Sequence, residues 1–81
     1  MPGKELYAME ENDLFERKID DLGGLPVFKG TEVPVSALFE NLIAGRTILD
    51  IAEEFPSVGL ERARATLRLA SLRIAERFHA R

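Results

Sequence analysis

Apolar and polar positions recur with helical spacing over the last two-thirds of the chain and without a sustained period over the first third. Val35, Leu38, Phe39, Leu42 and Ile43 follow one another at the 3, 1, 3, 1 spacing of an amphipathic helix. Gly45 stands where the left-handed residue after a helix belongs. Thr47, with Asp50 three residues on, resembles a capping box, and Ile48, Ile51, Ala52 and Phe55 supply the stripe of a short second helix. Pro56 ends it. Ser57-Val58-Gly59 is a tight connection, with Gly59 as the expected N-cap of a long third helix. On that helix Leu60, Ala63, Leu67, Ala70, Ile74 and Phe78 fall within an arc of about 80° at 100° per residue, and are expected to face inward. The opposite face carries Glu61, Ala65, Arg68, Leu69 and Leu72.

Upstream, Pro26 to Phe28 and Val33 to Val35 flank a polar Lys29-Gly30-Thr31-Glu32 centre. The first cluster predicts a short extended element, and the second leads into the first long helix. Between Asn12 and Asp21, the Phe15–Ile19 spacing fits one helical turn, and an extended segment fits as well. The expected architecture is mainly α: a three-helix, helix-turn-helix domain with a short N-terminal β element over residues 19–81. A flexible acidic segment is expected over residues 1–18.

With 81 residues there is room for one domain and a small core, which oligomerisation would help to stabilise. The absence of cysteine excludes disulfides, thiolate metal sites and a cysteine nucleophile. No apolar run approaches the roughly 18 residues of a membrane span, and the first residues lack the pattern of a signal peptide. A cytoplasmic protein is expected. The net charge of −3 hides a segregation. Residues 1–24 carry three basic and seven acidic side chains, a net −4, and residues 25–58 carry a net −3. Residues 59–81 carry six arginines against Glu61 and Glu76, a net +4. Arginine pairs bidentately with carboxylate or phosphate, so an anionic partner suits the C-terminal part.

Helix, short turn, longer helix is the order of a DNA-binding helix-turn-helix, whose second helix would be the recognition element. Arg62, Arg64 and Arg68 near its start are the candidates for phosphate or guanine contact with double-stranded DNA. Leu69 and Leu72, on the face expected to point outward, are candidates for a protein contact, although isolated exposed leucines are common. The small core and the two-fold habit of such binders suggest a homodimer.

The string Gly23-Gly24-Leu25-Pro26-Val27-Phe28-Lys29-Gly30-Thr31-Glu32-Val33-Pro34-Val35, then Leu38 to Leu42, Ala44-Gly45-Arg46-Thr47 and Ile51 to Pro56, resembles a bacterial family. It is the family catalogued as domain of unknown function 433, over roughly Ile19 to Ala70. The resemblance implies a helix-turn-helix-like fold and an antitoxin-like role in a type II toxin–antitoxin pair, the partner often being a toxin with a PIN-like ribonuclease fold. An arginine-rich end, here Arg73, Arg77 and Arg81, suits the acidic active site of such a toxin. Two departures stand out: Glu32 replaces the family's usual arginine, and Gly59 its usual Ser/Thr cap.

Catalysis is not expected. The single histidine, His79, is near the C-terminus, the adjacent acidic pairs diverge on a helix, and neither a metal-ligand cluster nor a phosphate-cradling loop appears. No cofactor is expected. Lys29 and Thr31 have two readings, the shaping of a turn or contact with a partner. The alternative to the antitoxin-like reading is a protein-interaction or oligomerisation module in which the helix-turn-helix is only architecture.

Overall fold

The computed structural model describes residues 11–17 and 24–79. In chain order they form α1 (Glu11–Leu14), β1 (Phe15–Arg17), β2 (Pro26–Phe28), α2 (Val35–Ile43), α3 (Ile48–Glu54) and α4 (Leu60–His79). The chain is mainly helical, with a small two-stranded antiparallel sheet near the N-terminus. β1 and β2 pair Phe15 with Phe28 and Arg17 with Pro26. No helix among the described residues is long and apolar enough to cross a membrane.

The apolar string around residue 28 forms the centre of the fold. After β2 the chain reverses at once, so that Phe28 N–H donates to the Val33 carbonyl and Val27 bridges to Pro34. Thr31 closes this reversal from inside. Its hydroxyl donates to the Phe28 carbonyl (2.8 Å) and accepts from the Val33 N–H (3.0 Å). Val27 and Phe28 are thereby buried, and Phe28 packs with Leu38 of α2, Ile51 of α3, Val58 of the turn and Ala63 of α4. Phe15 meets Phe28 edge-on at 5.9 Å. Each large side chain buried this way contributes about 1.5–3 kcal/mol over leaving it in water. This one cluster therefore fixes the hairpin and all three longer helices together.

The helix boundaries follow the expected chemistry. Gly45 has φ +98° after α2, and its N–H returns to the Leu42 carbonyl. At the start of α3 the Thr47 hydroxyl accepts from the Asp50 N–H and the Asp50 carboxylate accepts from the Thr47 N–H, both at 3.1 Å. Gly59 precedes α4 with φ +83°, and its carbonyl accepts the first helical bond, from Ala63. A serine or threonine at this φ would be strained, so Gly59 is required by the backbone here and is more than a weaker cap.

Three expectations are corrected. The folded unit starts earlier than residue 19: Glu11 to Arg17, assigned to the flexible segment, make a helical turn and a strand, with Leu14 wholly buried. The reason is that Leu14 fills a second, smaller core against Ala65 and Leu69. Hence Leu69, expected on the outward face, is inside the chain's own core. Finally, Ile74 and Phe78, expected to face inward, are 59% and 75% exposed. With 20 residues α4 is about 30 Å long, and its last turns run past the 9- and 7-residue helices that would cover them.

Candidate interaction face on the long helix

α4 is gripped from two sides. α3 packs along the line of Ala63 and Leu67, and α1 along the line of Ala65 and Leu69. What remains outside, in the first half of the helix, is Glu61, Arg64, Arg68 and Ser71, all exposed, with Leu72 44% exposed. Ile48 at the start of α3 borders this strip, and with Ala65 and Leu67 it makes an open groove of about 700 Å³. The surface is amphipathic: two guanidinium groups and a carboxylate beside leucine and isoleucine side chains.

The three arginines expected to read DNA have different places. Arg62 is turned back into the fold. Its Nε donates to the Val58 carbonyl (3.3 Å), its Nη2 to the Ser57 carbonyl (2.9 Å), and its Nη1 to the Lys29 carbonyl. It ties the turn between α3 and α4 to the turn after β2. Guanidinium is suited to this because its donors lie in a rigid planar fork. Arg64 and Arg68 are exposed on the strip.

The residues expected to bind a protein partner also divide. Leu69 is buried and Leu72 is exposed. Arg73 is half-buried and meets the Glu11 carboxylate and the Glu76 carboxylate, both at 3.2 Å. Arg77 is exposed. Arg81 lies outside the described residues. The turn before α2 is internally occupied: Lys29 Nζ donates to the Asn12 carbonyl, Lys29 N–H to the Leu14 carbonyl and Gly30 N–H to the Glu16 carboxylate, each at 2.8 Å. These bonds favour the turn-shaping reading of Lys29 and Thr31. Glu32 is exposed on the same loop.

Two features escaped the pattern. The periodicity of α4 marked Ile74 and Phe78 as core, yet its length relative to α2 and α3 was the available sign that its end projects. Nothing in the spacing distinguished Arg62 from Arg64, because the carbonyls that hold Arg62 come from segments remote in sequence.

Asp50 is the ionisable group with a defined perturbation. The Thr47 backbone N–H, the Thr47 side chain and, less strongly, the Arg46 charge hold its carboxyl below the ordinary value of 3.8, against slight desolvation. Arg46 itself pairs with the Glu54 carboxylate and so links the two ends of α3.

The family model described as Protein of unknown function (DUF433) matches residues 17–70. The chain belongs to this family. No curated protein and no solved structure matches it. The DUF433 span takes in the reversal at Thr31, the α3–α4 turn with Arg62, and the strip with Arg64 and Arg68. Leu72, Ile74, Arg77 and Phe78 follow it on the projecting end of α4.

Proposed function

We propose that this DUF433 chain is an antitoxin-like binding protein that engages a protein toxin through the outward strip of α4. Arg64, Arg68 and Leu72 form that contact, and Arg77 extends it. The observation that carries the reading is the exposure of those side chains on a helix held from both sides by the chain's own core. Such a strip is rigid, so little conformational freedom is lost on binding. Leucine offers apolar area, and the arginines suit a cluster of carboxylates. A PIN-like ribonuclease, as the family resemblance suggests, has such a cluster at its active site.

A second reading, binding to promoter DNA, draws on the position of Arg64 and Arg68 on the second helix of a helix-turn-helix. It is the weaker reading. Arg62 is occupied by three carbonyls, and the neighbouring α3 exposes Asp50, Glu53 and Glu54, which repel phosphate.

Both are tested with the intact chain. Co-expression with a PIN-like ribonuclease encoded beside it should restore growth, and the two proteins should purify as one complex. The combined Arg64→Glu, Arg68→Glu and Leu72→Asp variant should keep its helical circular dichroism and lose both effects. Full rescue by that variant, or no complex with the wild type, overturns the toxin reading. Fluorescence anisotropy on the duplex upstream of the gene, beside a scrambled duplex at two salt concentrations, decides the DNA reading. Salt-sensitive preference for the upstream duplex supports it, and equal weak binding removes it.

A further inference from the structure

The face of α4 away from the strip has its own chemistry. Ala70, Ile74 and Phe78 stand four residues apart along one side, spanning about 12 Å. Ala70 lies on the floor of a cleft of about 550 Å³, whose apolar walls are Phe15, Pro26, Val35 and Phe39. The rim carries Glu11 and Glu16. Beyond the cleft the stripe continues into solvent as Ile74 and Phe78, flanked by Arg77.

We propose that a second copy of this chain covers this stripe. Its α4 runs antiparallel to the first, with the two-fold axis passing through Ile74, so that each copy's Phe78 enters the other's cleft at Ala70. The stripe is self-complementary about Ile74. The small side chain of Ala70 is as far on one side of the axis as the large ring of Phe78 is on the other, which is the requirement of an isologous contact. Alanine lets the helices approach, and the cleft has room for a phenyl ring. The charges also match. The same pairing sets position 77 of one copy opposite position 71 of the other, within a turn of the Arg73–Glu11 pair. Arg73 is already met by Glu11 and Glu76, so the incoming Arg77 finds the acidic rim of Glu11 and Glu16. This interface is independent of the toxin reading, because it uses the other side of α4.

The absence of native cysteine makes the test direct. Sedimentation of the wild type should give a mass twice the 9.1 kDa of one chain. Ile74→Cys, which sits on the axis, should cross-link to itself on mild oxidation. Leu49→Cys, exposed on α3, should not. Ala70→Cys mixed with Phe78→Cys should cross-link far more than either alone, which reports the antiparallel register. Ile74→Asp should sediment as a monomer with unchanged circular dichroism. Cross-linking of Leu49→Cys as fast as Ile74→Cys overturns the proposal. So does a monomeric wild type whose Ile74→Cys thiol resists alkylation, which would assign the cover to the chain's own residues 1–10.

Discussion

At the scale of single residues, Arg62 shows how position in the fold reassigns a side chain. Its guanidinium satisfies carbonyls on two separate turns, Lys29 on one side and Ser57 and Val58 on the other. Hydrogen bonds from a charged donor contribute about 1.5–3 kcal/mol each when buried and less near water. Arg62→Ala should therefore destabilise the chain by roughly 2 kcal/mol, read as a lower urea midpoint. Arg62→Lys should recover only part of this, because an ammonium cannot span the fork. Unchanged stability in Arg62→Ala would refute the tie. Asp50 makes a different claim. Its carboxyl is held low by the capping box, so its support for α3 is complete at neutral pH. That support is lost only as the pH falls below the ordinary aspartate value of 3.8 toward the depressed one. Titration of the Asp50 side chain by NMR should place its midpoint below that of the same residue in Thr47→Ala. A coincident midpoint would separate the shift from the cap.

At the scale of elements, α1 and α4 define each other. A single turn of four residues has no independent stability as a helix. It persists because Leu14 closes the core over Ala65 and Leu69. Leu69→Asp buries a carboxylate without a partner and should destabilise by several kcal/mol, whereas Leu72→Asp, one turn on and exposed, should stay within about 0.5 kcal/mol of wild type. Parallel thermal melts separate the two, and equal losses would contradict the two-sided grip on α4. The same grip explains why the hydrophobic wheel misled. A helix packed on one neighbour has one inward face. With α1 added, the inward arc widens and takes in residues that a three-helix arrangement leaves outside.

At the scale of the whole molecule, charge and apolar surface are distributed together. The net +4 of residues 59–81 is carried on α4 and its end, while the net negative segments form the body around it. One side of the helix presents Arg64, Arg68 and Leu72, and the other presents Ile74 and Phe78 beyond the cleft. A small chain with a modest core gains by covering the second side with its own copy, and this leaves the first side open. The two tests consequently read different surfaces: loss of the dimer in Ile74→Asp does not require loss of toxin binding. Failure of toxin rescue leaves the cross-linking pattern untouched.

Much of this was determined by the sequence alone. The spacing of Val35 to Ile43 and of Ile48 to Phe55, the capping pair Thr47 and Asp50, and the left-handed Gly45 are local, since the interacting atoms lie within a turn of one another. The resemblance carried by Pro26 to Pro56 belongs here too, because motif order is itself a sequence property. Only the tertiary structure decided that Glu11 to Arg17 join the fold, that Leu69 is inside, that Arg62 faces inward while Arg64 faces outward, and that Ile74 and Phe78 emerge. Each of those outcomes depends on which distant segment arrives against the residue: Leu14 on Leu69, the Lys29 carbonyl on Arg62, and, for Ile74 and Phe78, helices too short to reach. A periodic pattern states that a side chain has a face. The partner that meets that face is set by the path of the rest of the chain.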